Sequence, residues 1–186
     1  MYNASRLERR RMTGRRPYPS GMTRGTWREQ YDRTRRWYGR FADTNAGKTH
    51  DRESESYRDD VHAFFLNCYH LKDWLGSDPA SGVSSQDAEG CVNASLDLML
   101  CRDLANAVKH MKLTTSRASK DTALGRTHYA LGLNVVMGPA EVEPTRISAT
   151  YEVSSDGNTY DAFEIATRAL AAWDAFLTSR GLLPSP

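Results

Sequence analysis

Residues 56–75 read SYRDDVHAFFLNCYHLKDWL, and this stretch decides the fold class. Tyr57, Val61, Phe64, Phe65, Cys68, Leu71, Trp74 and Leu75 stand at i, i+4, i+7, i+8, i+11, i+14, i+17 and i+18. That spacing gathers a wide apolar face along one side of a helix, and such a face is stable only when buried. Gly76 reads as the stop of this helix. Residues 77–93, with Asp78-Pro79 and Ser81-Gly82, read as a loop. A second strong helix is expected over residues 94–113, with Leu96, Met99, Leu100, Leu104, Ala107, Val108 and Met111 on one side.

Beyond Ser116 the period changes. Residues 128–137 and 146–153 are rich in Tyr, Val, Ile and Thr and read as two strands, with Gly138-Pro139 after the first. Asp156-Gly157 is a tight-turn signal leading into a short third strand at 158–160. A last helix is expected over residues 161–180, where Phe163, Ala166, Leu170, Trp173, Phe176 and Leu177 recur at helical spacing before Gly181. The chain is therefore read as mainly α (α+β), a helical bundle with a small antiparallel β-hairpin before the last helix. It has no internal repeat and no alternating strand–helix pattern, which argues against a doubly wound nucleotide fold.

Upstream of the long helix the composition shifts. Residues 1–40 hold twelve arginines, no lysine and three acids, a net +9, whereas residues 41–186 carry a net −7. The whole chain of 186 residues is thus almost neutral at +2 while its two parts differ in the partners they suit. Residues 1–25, with Arg9-Arg10-Arg11, Arg15-Arg16 and Pro17-Tyr18-Pro19, show no apolar period and read as a basic arm, disordered when unbound. From Thr26 an amphipathic helix begins, with Trp27, Tyr31, Tyr38 and Phe41 as an aromatic stripe and Arg28, Arg33, Arg35, Arg36 and Arg40 around it. Thr26 with Glu29 three residues on forms a capping box. Residues 42–55 read as a polar linker, so the expected division is an arm at 1–25, a basic helix and linker at 26–55, and a main domain at 56–186. The aromatic stripe either packs on the main domain or offers rings for base stacking. We take docking for the aromatics and polyanion binding for the arginines together with the arm.

Several functions are excluded or set aside. Mean hydropathy is −0.65 and no apolar run approaches the ~20 residues of a membrane span. The N-terminus lacks the apolar core of a signal peptide, and a cytoplasmic location is expected. Cys68, Cys91 and Cys101 are an odd count without paired spacing, read as reduced thiols; no metal site or cofactor is expected. Gly47-Lys48-Thr49 ends like a phosphate-binding loop, but Ala42 stands where the opening glycine belongs and no apolar strand precedes it.

One dense polar cluster remains, Cys101-Arg102-Asp103-Leu104-Ala105-Asn106-Ala107-Val108-Lys109-His110. On a helix Asp103, Asn106 and His110 share one face, opposite much of the apolar stripe, and Arg102 lies at its edge. His70 and Asp73 are neighbours on the preceding helix. Antiparallel packing of the two helices would let both polar sets meet in a cleft. Histidine suits proton transfer near neutrality, and a cation steadies a phosphorane-like charge. The same residues also read as polar side chains satisfying a bundle, with Arg102 and Asp103 in surface ion pairs.

The Asn106-Ala107-Val108-Lys109-His110 segment, on a long helix of a small bundle, is similar to the Arg-Asn-x-x-x-His motif of HEPN domains. These are metal-independent ribonucleases, or their inactive relatives, of toxin–antitoxin and phage-defence systems. Residues 64–75 with 103–110 also look like a group of uncharacterised bacterial and phage proteins. The resemblance covers roughly residues 56–115. It implies His110 as general acid/base, Asn106 as its positioning partner, and a homodimer with the motif repeated across a two-fold axis. Ala105 stands where the family's arginine belongs, so Arg102 takes that role from the preceding turn or the role is lost. Two functions follow as expectations. One is an RNA-acting protein that cleaves without metal through the 2′-hydroxyl. The other is a non-catalytic interaction module whose residues 1–41 bind nucleic acid, RNA before DNA, or an acidic partner.

Overall fold

The computed structural model describes residues 25–109, 122–132 and 145–184. The first helix, α1 (Trp27–Ala46), starts where its capping signal places it, with Thr26 Oγ1 accepting from the Glu29 N–H at 3.3 Å. A cap of this kind is worth about 1 kcal/mol. The helix continues through residues 42–46, read from sequence as linker; Thr44 is buried there and donates its hydroxyl to the Arg40 carbonyl at 3.1 Å. Gly47, with φ at 93°, ends it. A two-residue strand, β1 (Lys48–Thr49), follows inside the same expected linker.

The central helix α2 (Ser54–Ser77) runs through Gly76, which is not its stop. A Cβ there would lie 2.4 Å from the Ser85 hydroxyl, so the glycine serves the close approach of the next helix. Residues 77–93 are not a loop. They form a single 3-10 turn (Pro79–Ser81) and most of α3 (Ser85–Ala94), capped by Ser84 Oγ accepting from the Asp87 N–H at 3.0 Å. Only Ala88 and Val92 of α3 are buried, too few to give the sequence an apolar period. Helix α4 spans Leu96–Lys109 within the described residues.

Strands β2 (Ala123–Gly132), β3 (Arg146–Ser155) and β4 (Asn158–Asp161) then lead into α5 (Ala162–Ser179), whose N-cap Asp161 accepts from the Glu164 N–H. The hairpin turn is the one the sequence announces: Asp156 and Gly157 both have positive φ, as a type I′ turn requires. β2 begins five residues before the expected strand, and residues 133–137 of that expectation lie outside the described ones. All pairings are antiparallel. β3 pairs with β2 along one edge, and with β1 at its start and β4 at its end on the other. The chain is mainly α with a small sheet before the last helix.

One hydrophobic cluster joins every helix with Ala149, Tyr151 and Val153 of β3, which, like buried Ile147, alternate with more exposed residues. Helix α1 belongs to this core. Trp27, Tyr31 and Phe41 are buried, Phe41 meets Tyr151 and Phe163 edge-on, and Tyr38 stacks on Phe163 with ring centroids 5.5 Å apart. The aromatic stripe docks. At the opposite side Trp173 donates its indole N–H to the Cys68 carbonyl at 3.1 Å, fixing α5 on α2. The three cysteines are free; Cys68 and Cys101 are buried, and burial pushes the Cys91 thiol up to about 11. No described helix is long and apolar enough to cross a membrane.

Candidate nucleic-acid interface

With its aromatics turned inward, α1 directs its arginines outward, and four of the five rest on aromatic faces. Arg28 lies over Trp27 at 4.6 Å and donates to the Leu182 carbonyl at 3.0 Å. Arg33 lies over Trp74 of α2 at 5.6 Å and donates to the Gln30 carboxamide oxygen at 2.9 Å. Arg35 lies over Tyr31 at 5.7 Å, and Arg40 over Trp37 at 4.5 Å. Arg36 is exposed between them. None of these five guanidinium groups forms an ion pair with a carboxylate among the described residues. Elsewhere Arg52, Arg102, Arg168 and Arg180 pair with Asp60, Asp103, Asp97 and Asp87 in turn, while Arg58 forms no ion pair among the described residues and Arg146 donates to the Gly47 carbonyl.

The rows of arginine are held by buried polar anchors on both sides. Toward α2, Gln30 is buried and donates to the Asn67 carbonyl and side-chain oxygen at 3.0 and 3.1 Å. Asn67 itself donates to the Ala63 carbonyl at 2.7 Å. Toward α5, Tyr31 donates its hydroxyl to Asp174 Oδ1 at 2.7 Å while accepting from Arg35 Nη1 at 3.2 Å. Burial and the Asp174 carboxylate push the Tyr31 hydroxyl above its ordinary range, so it stays protonated and keeps donating. This seam opens into a groove of about 670 Å³ lined by Tyr31, Arg35, Asp174, Thr178, Leu183 and Pro184.

The polar residues singled out on α2 and α4 are placed differently. From Leu100 to Ala105 every residue of α4 is buried, so the helix has no solvent face there. Arg102 is 4% exposed and Asp103 2%. Arg102 Nε donates to Asp103 Oδ1 at 3.2 Å and Nη1 to Asn93 Oδ1 at 3.0 Å. Asp103 also accepts from Thr122, whose hydroxyl meets that of Ser155 at 2.9 Å. The pair expected at the surface is therefore an interior network that ties α3, α4 and the sheet together. His70 and Asp73 do meet, at 2.9 Å, but on the exposed side of α2. There Lys72 bridges Asp73 to Glu89 of α3. Although partial burial works against its charge, the His70 and Lys72 contacts hold Asp73 below the usual carboxylate range. No hydrogen bond or ion pair among the described residues joins His70 or Asp73 to Arg102, Asp103 or Asn106.

Asn106 is half-buried near the end of the described part of α4. His110 lies outside the described residues, as do Arg9, Arg10, Arg11, Arg15, Arg16 and the rest of the arm through residue 24. Among the described residues no group of three or more His, Cys, Asp or Glu is placed to hold a metal ion. The sequence reading missed the roles of Trp37 and Trp74 beneath arginines. Trp74 was counted as core, and only the packing of two helices shows that its ring carries Arg33. It also passed over His62, whose Nδ1 is hidden from solvent without a hydrogen-bond partner. Burial, and then Arg58, lower the pKa of His62, which favours the neutral ring.

No family model matches the chain, and no curated protein or solved structure is significantly similar to it.

Proposed function

We propose that this protein binds nucleic acid, RNA in the first place, through the arginines of α1 acting with those of residues 1–24. The observation that carries the proposal is the contrast in arginine pairing. Four of the six other described arginines whose side chains are placed form an ion pair with a carboxylate, whereas none of the five on α1 does, and four of those five lie on rings. A ring face holds the charge in place without cancelling it, and it leaves the donors free for phosphate oxygens. Seven further arginines against one acid precede residue 25, so the positive field extends beyond the helix. Specificity for sequence is not built into such a surface, because phosphate contacts position a strand without reading it.

The test is fluorescence anisotropy of a short labelled RNA titrated with the full chain over a salt series. Affinity should fall steeply, with a slope of log affinity against log salt of about 0.7 for each neutralised phosphate on a single strand. Salt-insensitive binding, or equal competition by polyglutamate, would remove RNA as the ligand; the latter would assign the surface to acidic proteins.

A second reading, metal-independent RNA cleavage by a HEPN-like dimer with His110 as general acid/base, draws on one observation. Asn106 is half-buried, and no hydrogen bond to another described side chain occupies it. Arg102 is already committed to Asp103 and Asn93, so this version needs a cation from elsewhere, and the α1 surface is one source. Incubation of the protein with total RNA in EDTA, beside His110→Ala and Asn106→Ala, decides it. Cleavage that both variants retain, or that none of the three shows, sinks the enzymatic version. Light scattering of the native protein gives the oligomeric state, and a monomer would remove the dimeric site.

A further inference from the structure

Helix α1 carries a glycine in its interior that the chain itself does not use. Glycine within a helix is less stable than alanine because it loses more backbone freedom and adds no contact. At some positions the structure supplies a reason: a Cβ at Gly76 would strike Ser85, and one at Gly25 would lie 2.6 Å from the Trp74 ring, whereas Gly90 of α3, like Gly39, has none. At Gly39 a Cβ would meet nothing within 4 Å, and the backbone there is ordinary helix. The space is open to solvent.

What surrounds that space is cationic. On a helix the neighbours of residue 39 are residues three and four away, which places Arg35 and Arg36 on its N-terminal side. Arg40 follows it directly in the chain, and Asp43 is the one acid beside it, one turn on. Arg35 is drawn to one side by Tyr31, and Arg40 to the other by Trp37. Between them Gly39 is half-buried, with no side chain of its own over the helix backbone.

Resting on the nucleic-acid reading above, we infer that the sugar–phosphate backbone of a bound strand crosses α1 at Gly39, in contact with the helix backbone. Arg35 and Arg36 take the phosphate on one side of the crossing, and Arg40 the next. The missing side chain lets the strand come close enough for all three guanidinium groups to reach it. A methyl group at this position lifts the strand away from them. The local stability that glycine forgoes is thus exchanged for close approach, one of the uses to which glycine is put wherever a backbone meets a ligand.

The experiment compares Gly39→Ala and Gly39→Leu with Gly90→Ala in the full chain. Gly90 is the matched control: it also lies inside a helix, α3, with nothing within 4 Å of a built Cβ, but it has no arginine within a turn. Melting temperature should rise for both alanine variants. RNA affinity should be unchanged by Gly90→Ala, lowered by Gly39→Ala, and lowered about tenfold by Gly39→Leu, the loss of one charge-assisted hydrogen bond. Stabilisation together with weaker binding at residue 39 alone is the signature. If Gly39→Leu binds as the natural protein does while Arg36→Ala weakens binding, the crossing point is wrong and the nucleic-acid reading stands. If the natural protein does not bind RNA at all, both fall.

Discussion

The first helix and the last both carry exposed arginines, and they differ in whether a carboxylate partners them. On α5, Arg168 reaches Asp97 of α4 at 3.0 Å and Glu164 on its own helix at 3.2 Å, and Arg180, the residue that caps its C-terminus, reaches Asp87 of α3 at 3.1 Å. Those cations are spent on joining helices. On α1 the acids Glu29, Asp32 and Asp43 lie among the arginines, yet none forms an ion pair with one of the five; rings hold four of these guanidinium groups and Arg36 is exposed. The chain therefore separates charge used for its own cohesion from charge presented outward. Counting arginines does not reveal this. Their partners do.

Removing Arg33, Arg36 and Arg40 together should strike hardest. Three lost phosphate contacts weaken RNA binding on the order of thousandfold at low salt, about 4 kcal/mol, and flatten the salt slope by about 2. Arg168→Ala with Arg180→Ala should leave affinity unchanged in the same anisotropy titration; a comparable loss there would erase the distinction between the two helices. Arg102 supplies the buried limit of the paired class. Arg102→Ala leaves Asp103 charged in the interior and should cost about 3 kcal/mol in urea unfolding, with RNA binding by the folded fraction intact.

Tyr31→Phe tests the hinge between the two helices, since its hydroxyl donates to Asp174 and receives Arg35. A loss of about 1 kcal/mol of stability is expected, from hydrogen bonds that are nearly shielded from water. Arg168→Ala alone should lower stability by only about 0.5 kcal/mol, because the pair is half exposed and screened.

The smallest effect is a pH dependence with a defined sign. The Ser84 hydroxyl, and then Arg180, hold Asp87 below the usual carboxylate range. A depressed native pKa stabilises the fold above the unfolded value of about 3.9, and the contribution disappears as pH falls through the lower native value. Urea midpoints of Arg180→Ala should thus lose part of the acid dependence seen in the natural protein. Affinity for RNA should stay level from about pH 5 to 9, because guanidinium does not titrate there. A midpoint slope identical in both proteins would detach Arg180 from Asp87.

Much of the helical framework could be read from spacing alone, and the reasons it stops short are local. The Thr26 cap, the apolar face of α2, the Asp156-Gly157 turn and the stripe of α5 are short-range signals, and each appears in the structure. Helix α3 was missed because two buried residues make no period, and Gly76 misled because close helix packing and helix termination both call for glycine. The linker reading of residues 42–55 failed at both ends: α1 runs to Ala46 and α2 begins at Ser54, with β1 between. For the candidate interface, a helical wheel places the arginines outward. It does not show Arg33 on Trp74, because that contact joins residues on different helices. Nor does it show Asp103 buried, because its cover comes from Thr122 at the start of the sheet.

The clasp between the two ends of the described fold bears on synthesis. Arg28 meets Leu182, Tyr31 meets Asp174, and Tyr38 meets Thr167, across sequence separations of 154, 143 and 129 residues. A ribosome adding about 5–20 residues per second makes α1 roughly seven to thirty seconds before its partner helix emerges. Throughout that interval Tyr31, Tyr38 and Phe41 lack their final cover, beside the most basic segment of the chain. A product terminated before Ala162 never acquires it. Such a fragment keeps the cations of α1 and exposes its rings, which makes it prone to aggregate, and the last helix is what turns that sticky segment into an ordered surface.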